Sequence, residues 1–276
     1  MKRKALKFTK MAGAGNDFVV IDAPDTKINL KKLAVQSCDR TNGIGADGLM
    51  VLDKSKKSDY RMRIINADGS EAEMCGNGAR CMAAYIVQNR KPKKELFSME
   101  TLAGEILAQA NGEEAIVRLS DPKDFQPEVN IKVNGRDLRL SYIDTGVPHA
   151  VIFVHDLEKV DVQTIGRVIR NHKQFSPRGT NVNFVEVVKN SLVHARTYER
   201  GVEDETKACG TGSVAAAIIG YFQANGNIQN KKAAKMRVKT KGGEILQVTF
   251  DVRDGIVENV WLRGSAKFIA EGEYFL

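Results

Sequence analysis

The chain has 276 residues and a formal net charge of +8 at pH 7, a length that suits two domains of ordinary size. It has no apolar run of about 18 residues, and no apolar stretch follows the basic N-terminus MKRKALKFTK, so we expect no membrane span and no signal peptide, and predict a soluble cytoplasmic protein. The lysine clusters, Lys54 to Lys57, Lys91 to Lys94 and Lys231 to Lys235, lack interleaved aromatic residues, which favours a solvated surface and no nucleic-acid partner.

The first half of the chain predicts short strands followed by one buried helix. An amphipathic stretch, LKKLAVQSC, ends at Cys38, and a helix from about Gly76 to Gln88 is apolar nearly all round. A helix of that kind is buried, so we expect the strands of its own half to wrap it. The strand candidates, separated by turn signals, are LKFTKM, FVVID, LMVL, YRMRIIN, LFSME, EILAQA and AIVRLS.

The second half repeats this order. Its strand candidates are LRLSYI, AVIFV, VNFVEVV, VHARTYE, MRVKT, EILQVTFD and IVENVWLRG, and its apolar helix runs from about Gly210 to Ala224. Four pairs of segments match in one order: AGNDFVVID with TGVPHAVIFVHD, NGIGADGLMVLD with PRGTNVNFVEVV, EAEMCGNGARC with ETKACGTGSVA, and TLAGEILAQ with TKGGEILQV. The sequence therefore predicts an internal duplication whose halves join near SDPKDFQPE.

The third pair contains the residues with reactive chemistry, because each copy reads Glu-x-x-x-Cys-Gly-(Asn/Thr)-Gly and opens an Ala-rich helix, at Cys75 and at Cys209. A thiol there lies beside unsatisfied backbone N–H groups at the positive end of the helix dipole, which lowers its pKa. The same N–H groups can bind a carboxylate. Two copies in register argue against plain packing, whereas Cys38 and Cys81 are predicted to lie in the core.

Two glycine patterns suggest a nucleotide-binding alternative. The segment GIGADG, from Gly43, fits G-x-G-x-x-G but leads into a strand instead of a helix, and GTGSVA, from Gly210, lacks an acidic residue near the position about twenty residues on. Polar residues also surround the two cysteines, and Arg200 could clamp a carboxylate. His149 occupies the place that Asn16-Asp17-Phe18 holds in the first half and is a plausible partner for a thiol.

These blocks resemble the diaminopimelate epimerase family of cofactor-independent amino-acid epimerases, over essentially the whole chain. GNDFVVID, GIGADGLM, NADGSEAEMCGNGARC, YERGVEDETKACGTG and GGEI follow the family's order. The resemblance implies an α/β fold of the α+β type, with two pseudo-symmetric domains, each a curled, mostly antiparallel sheet around a central helix. The last strand would return to the first domain, giving domains at 1–121 plus 265–276 and at 122–264.

The resemblance also implies roles for individual residues. Cys75 and Cys209 fall on the two catalytic cysteines. Substrate contacts are implied for Asn16, Asn66, Asn181, Glu199 and Arg200, and helix-start amides that hold the reacting carboxylate are implied for Gly76, Asn77, Gly210 and Thr211. Gly48 stands where many members have Gln, and Val147 stands where many have Asn.

Inverting an α-carbon needs a base on one face and an acid on the other, and a thiolate and a thiol supply that pair. His149 and Glu199 are candidate proton partners for the thiols, with Asp17 a weaker one. No lysine stands in a phosphate-site context, so we predict neither pyridoxal phosphate nor any other cofactor, and no metal. The predicted function is epimerisation of LL- to meso-diaminopimelate; a homodimer is left open.

Two alternatives stay open. One is a racemase for another amino acid, such as a proline-like substrate, with the same pair of thiols. The other is a thiol redox protein or a dinucleotide-binding protein. Diaminopimelate has a second amino-acid end that needs polar partners such as Asn66, Asn181 and Arg200, so the residues far from the thiols discriminate between the substrates.

Overall fold

The computed structural model describes residues 5–24, 28–226 and 229–276. They form two compact units, the first reaching to Arg118 and including Arg263–Leu276, and the second comprising Leu119–Leu262. The predicted first domain starts at residue 1, and residues 1–4 lie outside the described residues. Each unit contributes its own strands and helices.

Over its described residues, the first unit contains eight strands and two helices before the chain leaves it. The strands are Ala5–Gly13 (β1), Asn16–Asp22 (β2), Gly48–Asp53 (β3), Tyr60–Asn66 (β4), Glu71–Ala72 (β5), Phe97–Thr101 (β6), Gly104–Asn111 (β7) and Glu114–Arg118 (β8). The helices are Leu30–Cys38 (α1) and Gly76–Arg90 (α2).

The second unit repeats this arrangement. Its strands are Lys123–Val133 (β9), Arg136–Asp144 (β10), Pro148–Phe153 (β11), Asn181–Lys189 (β12), Leu192–Glu199 (β13), Asp204–Thr206 (β14), Lys231–Thr240 (β15), Ile245–Arg253 (β16) and Ile256–Ser265 (β17). The last residues of β17, from Arg263 on, belong to the first unit. Its helices are Val162–Arg170 (α3) and Gly210–Asn225 (α4), with short 3-10 turns at Leu157–Lys159 and Lys173–Phe175. Strand Lys267–Phe275 (β18) then belongs to the first unit.

Strand pairing follows one pattern in both units, as the duplication predicts. In the first unit β1 and β2 pair antiparallel, β2 and β3 parallel, β3 and β4 antiparallel, β4 and β6 parallel, and β6 and β7 antiparallel. In the second unit β10, β11, β12, β13, β15 and β16 pair in the same succession of directions. The returning strand β18 pairs antiparallel with β1. The predicted fold class, two α+β halves with mostly antiparallel sheets, is confirmed.

The two long helices are buried within their own units. Helix α2 packs mainly against β7 and β8, and α4 packs against β12, β13 and β15. The first turn of each helix begins Gly-x-Gly, and the two glycines lack side chains, which lets the surrounding backbone approach closely. Among the described residues, no helix is long and apolar enough to cross a membrane.

Helix α3 and strand β9 are among the elements that were not predicted from the sequence. Helix α3 is short and amphipathic. Asp161 caps it by accepting a hydrogen bond from the Thr164 backbone N–H. Gly166 lets the helix approach Tyr198 closely, since a Cβ at that glycine would lie 2.5 Å from the Tyr198 Cβ. Strand β9 begins at Lys123, within the stretch predicted as the join, and pairs with β10. The first part of its sequence, KDFQPE, is charged and contains a proline, which disfavours a strand, so pairing with β10 decides the conformation there.

Candidate active site

Cys75 and Cys209 occupy equivalent positions at the two helix N-termini. Cys75 is the N-cap of α2 with φ −142° and ψ 118°, and Cys209 is the N-cap of α4 with φ −116° and ψ 117°. Each Sγ accepts a hydrogen bond from the backbone N–H three residues on, from Gly78 at 3.5 Å and from Gly212 at 3.4 Å. Such donors, together with the positive end of the helix dipole, stabilise a thiolate relative to a thiol.

Neighbouring atoms leave little room for a side chain at the glycines of these first turns. A Cβ at Gly212 would lie 2.5 Å from Asn183 Oδ1 and 3.2 Å from Cys209 Sγ, whereas a Cβ at Gly78 would lie 3.0 Å from Met50 Sδ. A side chain at Gly212 would therefore collide with a fixed polar group and with the thiol. The Gly-x-Gly signature thus serves close packing around the cysteine.

Cys38 and Cys81 lie in the core, as predicted. Both are fully buried, and Cys38 packs in an apolar cluster with Leu33, Ala34 and Ala46. Burial raises the pKa of the Cys38 thiol to about 11, which keeps it protonated and inert at neutral pH. The four cysteines therefore divide into two at helix N-termini and two packed as small apolar residues.

A chain of hydrogen bonds connects predicted site residues of the first unit. Asn77 Nδ2 donates to Asn16 Oδ1 at 2.8 Å, and Asn16 Nδ2 donates to Asp47 at 3.0 Å. On the other side of Asn77, the wholly buried Arg80 donates from Nη2 to Asn77 Oδ1 at 2.9 Å. Arg80 was not among the residues predicted from the sequence, although a charge inside an otherwise apolar helix was the available signal.

Asn66, in contrast, is exposed. It ends β4 and donates from Nδ2 to Ser70 Oγ at 2.9 Å, within a turn that its backbone N–H also closes on the Ser70 carbonyl. In the structure its side chain therefore takes part in a turn. Its role as a substrate contact stays a prediction.

Asp17 is held by two cations. Lys10 Nζ lies 2.7 Å from Asp17 Oδ2, and Arg40 Nη2 lies 2.8 Å from Oδ1. Burial by itself raises the pKa of Asp17, but the hydrogen bonds from Arg40 and Lys10 outweigh it and hold the pKa at about 2. A carboxylate with so low a pKa is a poor base, which weakens Asp17 as a proton partner for a thiol.

This ion pair predicts a difference in acid stability. A carboxyl group whose folded pKa lies below its usual value of 3.8 contributes stability at higher pH, and this contribution is lost as the pH falls toward about 2. We expect urea unfolding to show a steeper loss of stability between pH 4 and pH 2 for the native chain than for Asp17→Asn. Parallel stability curves for the two proteins over that range would contradict the ion-pair account.

Glu199 lies beside Cys209 in the second unit. Its carboxyl group is partly buried at the end of β13, and burial raises its pKa, while the neighbouring Thr206 and Cys209 side chains act in the opposite direction. A carboxyl group with a raised pKa next to a thiol is suited to exchange a proton with it. The structure therefore brings together two residues that the sequence singled out.

His149 is completely buried in β11. Burial lowers the pKa of its imidazole to about 3, and the charge of Arg200 acts in the same direction. The ring is therefore neutral at physiological pH. Its Nδ1 lies 3.1 Å from Asn183 Nδ2, and its Nε2 has no hydrogen-bond partner among the described residues.

Asn181 joins two backbone segments near Arg200. Its Nδ2 donates to the Pro148 carbonyl at 2.9 Å, and its Oδ1 accepts from the Arg200 backbone N–H at 2.9 Å. The Arg200 side chain donates from Nη1 to the Arg178 carbonyl at 3.0 Å. Both residues are thus engaged with main-chain groups, and their substrate contacts stay predictions.

The first turn of α4 begins with Gly210 and Thr211, and that of α2 begins with Gly76 and Asn77. Thr211 Oγ1 lies 3.6 Å from Cys209 Sγ, and the Thr211 carbonyl accepts from Thr145 Oγ1 at 3.1 Å. Helix starts of this kind bind carboxylates through backbone N–H groups.

The two departures from the family pattern have structural settings. A Cβ at Gly48 would lie 3.0 Å from the Ile65 carbonyl oxygen, so this backbone has little room for a side chain there. The Val147 carbonyl accepts from the Thr145 backbone N–H at 3.1 Å, closing the turn that leads into β11. No group of three or more potential metal-ligating side chains occurs among the described residues.

Comparison with known proteins identifies the family of this chain. The family model described as diaminopimelate epimerase matches residues 8–123 and 141–268. The chain belongs to the diaminopimelate epimerase family. Among its relatives, the diaminopimelate epimerase of Aquifex aeolicus is 41% identical, covering 97% of each chain, and that of Chlorobaculum tepidum is 39% identical, covering 95% of this chain and 98% of the relative.

Solved structures extend the fold beyond the diaminopimelate epimerase family. A phenazine biosynthesis protein of the PhzF family from Bacillus anthracis superposes with a TM-score of 0.71 at 19% identity, covering 99% of this chain and 100% of that one. A hydroxyproline epimerase from Agrobacterium vitis has a TM-score of 0.71 at 14% identity, covering 100% and 93%. At such identities the likeness concerns the duplicated fold alone.

Proposed function

We propose that this chain is a cofactor-independent isomerase that epimerises LL-diaminopimelate to the meso form, a step of lysine and peptidoglycan precursor biosynthesis in the cytoplasm. The observation that carries the proposal is the duplicated N-cap cysteine: Cys75 and Cys209 each begin a buried helix and each accept a backbone N–H at Sγ. Family membership over most of the chain supports the substrate and favours an isomerase over a thiol redox or dinucleotide-binding protein.

The chemistry requires an anionic sulfur and a protonated one. The thiolate removes the α-proton from one face, the charge spreads into the substrate carboxylate, and the second thiol returns a proton to the other face. Backbone amides at Gly76, Asn77, Gly210 and Thr211 are the groups we assign to that carboxylate. Each donor that strengthens as charge builds up contributes about 3 kcal/mol.

Glu199 supplies a proton partner for Cys209. Its raised pKa favours uptake of a proton from the neighbouring thiol. Cys209 can then become a thiolate while its proton stays on the Glu199 carboxyl group. His149 is the second candidate proton partner, and its neutral ring has one nitrogen that can donate and one that can accept.

Epimerisation in deuterated water tests the proposal. With LL-diaminopimelate as substrate, we expect deuterium to enter one α-carbon only, together with formation of the meso isomer, as followed by NMR and chiral chromatography. L-proline and trans-4-hydroxy-L-proline under the same conditions test the alternative substrates. Deuterium incorporation into either of these, with none into diaminopimelate, would replace the proposed substrate while keeping the two-thiol chemistry.

Glu199→Gln separates the catalytic role of the carboxyl from its cost in stability. A positioned proton-transfer group contributes roughly 10²–10⁴-fold to the rate, so we expect kcat to fall within that range. Because the folded pKa lies above the usual 4.5, the native chain loses stability as the pH rises through that folded pKa, and glutamine does not.

We therefore expect Glu199→Gln to melt at a higher temperature than the native chain at pH 7, with the difference vanishing below pH 4. Calorimetry at the two pH values, alongside the kinetic assay, makes both measurements. A variant that is slower but also less stable at pH 7 would show that Glu199 has a mainly structural function.

A further inference from the structure

A buried polar triad lies beneath the first turn of α4. It consists of His149 on β11, Asn183 on β12 and Thr197 on β13, and all three side chains are buried. Asn183 is its centre: Nδ2 lies 3.1 Å from His149 Nδ1, and Oδ1 accepts from Thr197 Oγ1 at 2.9 Å. Asn183 Oδ1 also lies against Gly212, in the turn that positions Cys209.

The first unit has no such triad at the equivalent place. Strand pairing aligns Phe18 with Gly48 at the start of the parallel pair, and Met50 with Ile64 in the next pair. Around the first turn of α2, a Cβ at Gly78 would meet Met50, Ile64 and Phe18. The side chains beneath the first turn of α2, which Cys75 caps, are therefore apolar.

The second unit has the same strand register, but polar side chains occupy the equivalent positions. His149 pairs with Asn181 at the start of its parallel pair, as Phe18 does with Gly48, and Asn183 pairs with Thr197 in the next. His149, Asn183 and Thr197 thus replace an aromatic, a thioether and an aliphatic side chain. Three buried polar groups in place of three apolar ones have to be hydrogen-bonded to be tolerated, and their bonds define one arrangement of protons.

The amide orientation of Asn183 follows from its fixed partners. The Ala150 carbonyl lies 3.0 Å from one amide atom of Asn183, and since a carbonyl can only accept, that atom is the NH₂ nitrogen. Its other hydrogen points to His149 Nδ1, which therefore accepts. The neutral ring then carries its proton on Nε2.

We propose that Asn183, held by the Ala150 carbonyl and by Thr197, is a positioning residue that fixes His149 as the Nε2–H tautomer, so that His149 donates a hydrogen bond to an anionic sulfur or carboxylate. The proposal rests on the epimerase function proposed above. His149 is then a hydrogen-bond donor that stabilises an anion, and another group acts as the base. It also makes the two pseudo-symmetric halves chemically different.

Two further observations agree with this assignment. Nε2 is buried and has no hydrogen-bond partner among the described residues, which is the state of a donor that awaits an acceptor. The lowered pKa of His149 keeps the ring neutral at physiological pH. A charged ring would carry protons on both nitrogens and could not accept from Asn183.

The tautomer can be measured directly. Long-range ¹H–¹⁵N correlation spectra of the ¹⁵N-labelled protein distinguish a protonated from an unprotonated ring nitrogen. The chain has four histidines, and the spectrum of His149→Gln identifies the signals that belong to His149. We expect Nδ1 of His149 to be unprotonated and Nε2 to be protonated at pH 7; the reverse assignment would overturn the proposal.

Substitutions at Asn183 then connect the tautomer to the reaction. Asn183→Leu removes the donor while keeping the volume, and we expect mixed tautomers and a kcat lowered by roughly 10- to 100-fold, below the full effect of a proton-transfer group. KM should change less, because the residue contacts His149 and not the substrate. Met50→Leu, at the equivalent place in the first unit, is the matched control and should leave the His149 signals unchanged.

Thr197 supplies a milder pair of variants in case Asn183→Leu does not fold. Thr197→Val deletes the hydroxyl at the same volume, and Thr197→Ser retains it. We expect the valine variant to shift the His149 ring signals and lower kcat, and the serine variant to restore both. A folded Asn183→Leu or Thr197→Val protein with unchanged ring signals and unchanged kcat would refute the positioning role.

His149→Gln tests whether the ring donates, because a glutamine amide places an N–H near the position of Nε2. We expect it to retain more activity than His149→Leu, whereas equal losses in both would contradict the donor role.

The spectra also separate the two proposals. If the native chain shows the Nε2–H tautomer but no deuterium enters diaminopimelate, the proposed function fails while the positioning by Asn183 stands.

Discussion

Cys75→Ser and Cys209→Ser are each expected to abolish epimerisation, with turnover lowered by more than about 10³-fold, while the fold is retained. Serine has nearly the volume of cysteine but is a far weaker acid, so helix-start amides that stabilise a thiolate cannot make an alkoxide at neutral pH. Steady-state kinetics with LL-diaminopimelate and with the meso isomer, together with circular dichroism, provide the measurement.

The two core cysteines are the matched controls. Cys38→Ser and Cys81→Ser place a hydroxyl at a fully buried position, which costs about 1–3 kcal/mol of unfolding free energy if the hydroxyl stays unpaired. Their kcat should remain close to the native value. More than a few per cent of native turnover in Cys75→Ser or Cys209→Ser would refute the two-base mechanism.

Gly212→Ala is expected to lower both kcat and stability. Its Cβ would lie 2.5 Å from Asn183 Oδ1 and 3.2 Å from Cys209 Sγ, so either the triad or the thiol has to move. Overpacking of this kind costs roughly 1–3 kcal/mol. That exceeds the gain of about 1 kcal/mol that alanine brings to a helix interior.

Gly78→Ala is the control in the other half, because its Cβ would be 3.0 Å from Met50 Sδ, the end of a flexible side chain. We expect a change in unfolding free energy below about 1 kcal/mol there. Urea denaturation and kinetics of both variants give the comparison. Equal effects at the two glycines would mean that the polar triad imposes no constraint on the thiol of Cys209.

Several features could be predicted from local sequence signals. The two Cys-Gly-x-Gly segments, each followed by small apolar residues, placed the N-termini of both long helices, and the helices end within two residues of the expected positions. The glycine segment from Gly43 runs into β3 and not into a helix, as its context indicated. These signals succeed because capping, glycine turns and apolar periodicity act over one or two helical turns.

The elements that were missed depend on partners far along the chain. Strand β9 has charged and proline residues and forms because β10 pairs with it, and α3 is stabilised by one buried face against β12 and β13. The buried guanidinium of Arg80 is another such case. Its partner Asn77 lies on the same helix turn, but Asn77 is in turn held by Asn16, 61 residues away.

By itself, the sequence indicated that the chain is duplicated and that each half presents one thiol at a helix N-terminus, and its resemblance to a known family predicted a two-thiol epimerase. Only the tertiary structure decided what lies beneath each thiol. His149 and Asn183 are 34 residues apart, and Asn183 and Thr197 are 14 apart; they meet because the register of β11, β12 and β13 places them side by side. The register of a strand, and the face of the sheet on which each side chain lies, are set by the packing of whole strands. The two similar Cys-Gly-x-Gly segments therefore lie over apolar side chains in one half and over a polar triad in the other.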